Sequence, residues 1–499
     1  MKNNLYIFIL LVMILVLSLL LFLKKEKEAE NIIVVETISD LVNIENKKNL
    51  TYVLNSQGGF FKYDDNKKHI NNHCTIFNGW IRQTQDTTVN IMWCGAKGNG
   101  KSNDTKAFKD ALELSYTYRR LNKSLYLPIG TYKISEKIHI PSIFKGKKNG
   151  FLTIYGEGSL DSGQTQIHFI NPQKGKHTDK INYWITSNIQ ALTLKDIRFK
   201  QIYPKGKNIY SYQPFGLLLA KKNTHKNNLI TADTDTAIEN CSFSRFYTIV
   251  ENWGRGLKFV NNTASLAHNP IVLEWDKYIE FPKGVGSDKT GFRAFNIEGN
   301  RFHSNGSYAI VNIGLNAKKI HSLLISDSLL DIGKGIFKGV LRDGSINNTI
   351  SIMTSHTVLE LHNGSKNYQI NGVTATGNDD AKRVPPHFIL LKGSHTNAQF
   401  NNLNFNNCRG DAIWSTGGKL NGISFNNIIM DKIGRNHKAR LLSFSNFSHR
   451  VMINNLFYNG TRNLDHPIRA FGKKQIIKIN NYFAPNSQSK LNKEDGISF

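Results

Sequence analysis

The stretch W-C-G-A-K-G-N-G-K-S-N-D-T-K-A-F-K-D-A-L at residues 93–112, with S-L-Y-L-P-I-G-T-Y-K-I at 124–134, decides the fold. It reads as a strand, a glycine turn, a capped amphipathic helix and a second strand closed by Pro128 and Gly130. Asn103 or Asp104 can cap the free amides of the first helical turn, and Ala107, Phe108, Ala111, Leu112 and Ser115 fall on one face. A helix with such a face can cover the end of a stack of β-coils. Without a cover the terminal coil would expose its core and an unpaired strand edge.

Working outward, an eight-residue template recurs from about residue 190: apolar, any, apolar, any, Asn/Asp/Gly, any, any, often a bulky residue. It appears as L-T-L-K-D-I-R-F, T-A-I-E-N-C-S-F, L-K-F-V-N-N-T-A, F-N-I-E-G-N-R-F, L-L-I-S-D-S-L-L, Y-Q-I-N-G-V-T-A, A-Q-F-N-N-L-N-F, I-S-F-N-N-I-I-M and V-M-I-N-N-L-F-Y. Its third positions are Leu194, Ile238, Phe259, Ile297, Ile325, Ile370, Phe400, Phe425 and Ile453. They recur at one or two units of about 21 to 30 residues, the period of a β-solenoid. Alternation sends side chains into and out of one core, and the Asn/Asp/Gly position supplies the backbone freedom of a tight corner. Stacked corner asparagines can bond from coil to coil. The expected fold is therefore all-β, a single-stranded right-handed parallel β-helix with an N-terminal capping α-helix, preceded by one transmembrane helix. Residues 171–189, 201–233, 274–292 and 376–396 interrupt the template and are expected to be long loops walling a groove.

Gly95, Ala96, Lys97, Gly98, Gly100, Asp104, Thr105, Ala107, Phe108, Leu127, Pro128, Gly130, Thr131, Tyr132 and Ile134 match the opening of the pectate-lyase-3 superfamily. These are rhamnogalacturonase/epimerase-like β-helices that include many phage tailspike depolymerases. L-T-I-Y-G-E-G at 152–158, with Thr165 and Ile167, resembles the family's next element. Trp93, Cys94, Asn99 and Asn103 depart from the pattern in turn and packing positions. The resemblance implies a protein that acts on polysaccharide, with a homotrimer as one possible assembly. Residues 51–92, with G-G-F-F-K-Y-D and I-F-N-G-W-I-R, are similar to the small β segment that precedes the coils in many phage tail proteins.

The 64 lysines and arginines against 37 acids give a formal charge of +27, which favours an acidic partner. A lysine- and asparagine-rich genome would produce the same balance without selection. No nucleic-acid motif is present, and Gly98 to Ser102 lacks the upstream glycine of a phosphate loop. Residues 5–23 are uncharged and almost wholly apolar, long enough to span a bilayer. The run ends in Phe22-Leu23 and K-K-E-K-E rather than at small residues, so it reads as an uncleaved anchor. Lys24, Lys25 and Lys27 would hold the large domain in the cytoplasm by the positive-inside count, whereas the resemblance places it outside, which is the reading preferred. The domain map is an anchor at 1–23, a polar stalk at 24–50, a small β segment at 51–92, the β-helix at 93–485 and a polar tail at 486–499. Of the four cysteines, Cys241 and Cys408 fall in strand repeats and read as buried thiols, while Cys74 and Cys94 could pair after export.

Two chemistries fit such a fold. A glycosidase needs paired carboxylates. A lyase or a polymer-level C5-epimerase on uronates needs a base and a positive group, or a metal such as Ca2+, facing the sugar carboxylate. Acids are scarce, which narrows the candidates to Asp379 and Asp380 in T-G-N-D-D-A-K-R and to Glu360 about one coil earlier. His356 and His362 flank Glu360 as possible bases, and Arg342 and Arg383 could bind a carboxylate. A second cluster, Glu274, Trp275, Asp276 and Tyr278, offers Trp275 as a platform for a sugar ring. The reading is a polysaccharide lyase or glycosidase. Its rival is a non-catalytic β-helix that binds glycan or serves as a surface scaffold.

Overall fold

The computed structural model describes Met13 and residues 32–498, apart from 46, 48, 56, 85–86, 117–123, 142, 145–146, 149, 160–162, 171–180, 190, 205–213, 221–234, 254–255, 274–294, 313–321, 379–383, 435–438, 446, 461–463, 465–466, 472–475 and 486–496. The expected anchor at 5–23 lies outside the described residues but for Met13. No helix among the described residues is long and apolar enough to cross a membrane. The chain divides into two compact units, one formed by residues up to 86 with 92–96, the other by 87–91 and 97–499.

The small unit is a five-stranded sheet. Ile33–Val35 pairs parallel with Thr51–Val53, and Gly59–Tyr63, Trp80–Arg82 and Ile76–Phe77 follow antiparallel. Its core is Leu41, Val53, Phe61, Phe77 and Trp80. Leu41 comes from the short helix Ile38–Val42, where Thr37 and Asp40 form a reciprocal capping box. The stalk expected over 24–50 therefore gives way to folded structure from Ile33, because Val35, Ile38 and Leu41 supply apolar surface that this sheet buries. Cys74 and Cys94 form a disulfide. Beside it the Arg82 guanidinium lies over Phe61 and Trp93 and donates to the carbonyls of Gln57, Gly58 and Cys74.

The large unit is a parallel β-helix. Its first strand is Thr88–Asn90 and not Trp93-Cys94, which belong to the 3-10 turn Ile91–Cys94. The helix Thr105–Ser115 buries Thr105, Ala107, Phe108, Ala111, Leu112 and Ser115, the expected face with Thr105 added. Asp104 is its N-cap residue, but its carboxylate accepts from the Lys97 amide at 2.7 Å, and Asn103 takes the Thr105 amide. Each later coil contributes strands to three faces. The first carries the template, and its nine third positions lie in one register column with Leu125, Ile154, Ile346 and Ile479, almost fully excluded from water. The second face follows across a corner. The third is a sheet of twelve parallel strands from Ile138–Ile140 to Ile468–Phe471. These long parallel sheets are consistent with the expected right-handed β-helix.

The third face corrects the expectation of long loops. Asn182–Ser187 falls within 171–189, Phe215–Ala220 within 201–233 and Ile389–Lys392 within 376–396. The tail at 486–499 also returns to the sheet, since Ile497–Ser498 pairs with Ile477–Ile479.

Candidate functional site

The outward positions of the third face run, one rung per coil, Glu251, Val272, Val311, Lys338, Glu360, Leu390, Trp414. Glu360 sits in Leu359–Leu361, between core residues that fix its backbone. Its carboxylate is 8% exposed and collects four donors. Lys392 Nζ lies 2.7 Å, His362 Nε2 3.0 Å and Lys338 Nζ 3.3 Å from Oε1, while the Tyr308 hydroxyl donates to Oε2 at 2.9 Å. Burial alone would raise the carboxyl pKa. The bonds from His362, Lys392 and Tyr308 and the charge of Lys338 outweigh it, and Glu360 is held ionised far below the usual carboxylate range. Burial and Glu360 together push the Tyr308 phenol well above its ordinary value, so it remains protonated.

His395 supports this arrangement from inside the coil. Fully buried, it lies 3.1 Å through Nδ1 from the Tyr368 hydroxyl and 3.3 Å through Nε2 from the carbonyl of Lys392, the residue whose ammonium reaches Glu360. Burial pushes its imidazole down to about 4.

Of the described residues singled out from sequence, the structure brings together only Glu360 and His362. His356 lies 2.9 Å through Nδ1 from the Ser355 hydroxyl, and Arg342 Nε donates to the Gly364 carbonyl at 2.9 Å. Neither bonds to the Glu360 cluster, because each is held by a turn of its own. Asp379, Asp380, Arg383 and Trp275, like Glu274, Asp276 and Tyr278, lie outside the described residues. Sequence reading missed Tyr308, Lys338 and Lys392. A signal for the tyrosine exists in duplicate. Tyr308 stacks over Gly335 of the next coil to reach Glu360 two coils on, and Tyr183 likewise stacks over Gly216 to reach Glu251. A Cβ at either glycine would strike the tyrosine ring. The residue two after each carboxylate also donates to it, His362 in one copy and Trp253 at 2.6 Å in the other.

A metal of the kind considered for lyase chemistry does not fit here. Among the described residues no group of three or more His, Cys, Asp and Glu is placed to hold an ion, and Glu360 faces two ammonium groups.

A model of the family described as "Rhamnogalacturonase A/epimerase, pectate lyase-like" matches residues 88–249. That stretch is therefore pectate-lyase-like, as the motifs at 93–134 and 152–167 indicate. No curated protein matches the chain. Among solved structures, the tailspike protein of Acinetobacter phage vB_ApiP_P1 is similar at 11% identity and TM-score 0.43, over 91% of this chain and 71% of that one. Pantoea stewartii WceF, a glycan biofilm modifying enzyme with a tailspike-like parallel β-helix, is similar at 13% identity and TM-score 0.42, over 77% of this chain and 48% of its own. The A-module of the Azotobacter vinelandii mannuronan C-5 epimerase AlgE6 is similar at 12% identity and TM-score 0.41, over 81% of this chain and all of that one. At these identities and TM-scores the likenesses assign no chemistry to the chain.

Proposed function

We propose that the chain is an exported, membrane-anchored β-helix enzyme that removes the C5 proton from a uronate-type sugar within an acidic polysaccharide. The reaction is elimination or C5 epimerisation, and it takes place at Glu360. The observation that carries this reading is the buried, ionised Glu360 with His362 on the same oxygen as Lys338 and Lys392. If Nε2–H of His362 donates to Glu360, Nδ1 keeps the lone pair of a base. One carboxylate against two ammonium groups leaves positive charge to receive a sugar carboxylate and to stabilise the anion that forms when the C5–H bond breaks. Tyr308, kept protonated and donating to Glu360, cannot serve as the base. In elimination the electron pair from C5 expels the C4 substituent and an unsaturated uronate remains. In epimerisation the proton returns to the opposite face of C5.

Hydrolysis by two carboxylates is less well supported, because Glu360 held as an anion cannot be the protonated acid that assists a leaving oxygen. Export is supported by the Cys74–Cys94 disulfide, a bond that persists in oxidising compartments. The anchor at 5–23 belongs to the same reading.

The test is incubation of the purified protein with uronate-containing and neutral glycans, following ultraviolet absorbance for elimination and deuterium uptake at C5 from heavy water for epimerisation. Glu360→Gln should lower either signal by ~100-fold or more, and Lys392→Met should raise KM. If no glycan yields either signal with the wild-type protein, the enzymatic reading is overturned. The non-catalytic rival is favoured by one observation, the Tyr183–Glu251–Trp253 copy, which repeats the scaffold without a titratable base. It predicts glycan binding that survives unchanged in Glu360→Gln.

A further inference from the structure

The second face carries a different column of polar residues. Lys200, Ser244, Ser265, His303 and Asp331 occupy one register position on five successive coils. Neighbouring rungs of parallel strands are about 4.8 Å apart, so Ser265 and Asp331 flank His303 on either side. His303 Nδ1 lies 3.0 Å from Asp331 Oδ2, and Arg301 Nη2 lies 3.7 Å from the same oxygen. The His303 side chain is 40% exposed, so it borders solvent. The Ser265 hydroxyl donates to the Phe243 carbonyl at 3.3 Å, a long bond, and a triad requires that it turn from that carbonyl to His303 Nε2.

A second observation falls on the same column. Each coil turns a left-handed corner between the first and second faces, and Asp196, Asn240, Asn261, Gly299, Asp327, Asn348 and Gly372 fill it at little cost. The corner that follows the Ser265 column is also left-handed, yet there it is filled by Arg245 (φ 68°), Leu266 (φ 54°), Ser304 (φ 52°), Ile332 (φ 52°) and Met353 (φ 50°). Bulky and β-branched residues rarely take this conformation, which costs about 1–3 kcal/mol at each, and such strain clusters at functional sites. Leu266 and Ile332, exposed at 45% and 44%, regain nothing by burial. Strain thus falls immediately after Ser265, His303 and Asp331.

We infer that Ser265, His303 and Asp331 form a hydrolytic triad, with the O-acyl esters of sugars as its substrate class. The elements match the roles the chemistry needs: an acid on Nδ1, a free Nε2 and a hydroxyl on the adjoining rung. Ser265 Oγ attacks the acyl carbon as its proton passes to His303 Nε2. The ester C–O bond then breaks, and the same proton goes to the departing sugar hydroxyl. Water, deprotonated by the imidazole, releases the carboxylic acid and restores Ser265. Asp331 touches no substrate and positions the imidazole. Lys200, two rungs from Ser265, and Arg245, at the corner below it, give the developing oxyanion a positive field. This activity is independent of the chemistry proposed for Glu360.

The experiment uses the full chain with p-nitrophenyl acetate and an acetylated polysaccharide, measuring acetate release, together with a fluorophosphonate probe located by peptide mass spectrometry. Ser265→Ala and His303→Gln should each lose ~100-fold or more of the hydrolysis, with circular dichroism unchanged. Asp331→Asn should lower kcat and leave KM, and Ser244→Ala should keep full activity. The probe should be found on Ser265. Hydrolysis by wild type no faster than by Ser265→Ala, or a probe on another serine or on none, overturns the proposal whatever the variants' stability.

Discussion

His395 shows how a single residue ties the inside of a coil to the chemistry outside it. In the neutral tautomer its Nε2–H donates to the Lys392 carbonyl and its Nδ1 accepts from the Tyr368 hydroxyl, so both ring nitrogens are satisfied without charge. Protonation would bury a cation beside His362. The folded value near 4 lies below the ordinary 6.5, so the unfolded chain binds the extra proton first as pH falls. Stability contributed by neutral His395 is complete above about pH 6.5 and is lost progressively toward pH 4, by a few kcal/mol in all. Thermal melting between pH 7 and pH 4 checks this. His395→Gln should flatten the acid limb, while a wild-type melting point that does not move over this range would remove the effect. Glu360 acts in the same direction lower down, since its bonds stabilise the fold above about pH 4.5 and weaken below it.

At the scale of the element, the corners are held by side chains as much as by strands. Asn371 donates to Asn347, Asn401 to Asn371, Asn426 to Asn401 and Asn454 to Asn426 at 2.6–2.9 Å, one amide per coil. Breaking a middle member leaves both neighbours short of a partner, so Asn401→Ala should cost about 1–3 kcal/mol. Asn481→Ala, at the end of a parallel ladder, should cost less. Denaturant midpoints of the two variants make the comparison. The Leu194-to-Ile453 column was readable from the sequence because alternation on a half-exposed face prints an apolar residue every second position, and the corner asparagines expected to stack are the parallel ladder through Asn402, Asn427 and Asn455; the ladder through Asn401 occupies the position before the corner, which the template left open. The third face printed no such alternation. All six residues of Phe215–Ala220 and all five of Tyr308–Asn312 are buried, so the strands read as irregular inserts. The same reason hid the candidate site. Glu360 and His362 stand two residues apart in one strand edge and were legible together. Lys338 and Lys392 meet Glu360 only through coil register, and nothing in the chain distinguishes them among 64 basic residues.

At the scale of the molecule, the two units rest on different physics. The coils bury a continuous apolar column, whereas the small sheet has a core of five buried side chains and a disulfide. The bond closes a loop over a separation of 20 residues, which stabilises by roughly 3 kcal/mol. Replacing Cys74 and Cys94 with serine should therefore loosen residues 33–82 and leave the coils intact. Hydrogen exchange resolved by segment checks this, with protection across 97–479 unchanged. The remaining thiols, Cys241 and Cys408, are buried and pushed up to about 12. A thiolate is the species that attacks a disulfide, so once the coils close, neither can exchange with the Cys74–Cys94 bond. Before closure all four are reachable. Under the proposed export, maturation would be a race between coil winding and oxidation, with correct pairing preserved by whichever sulfurs the winding coils put out of reach first.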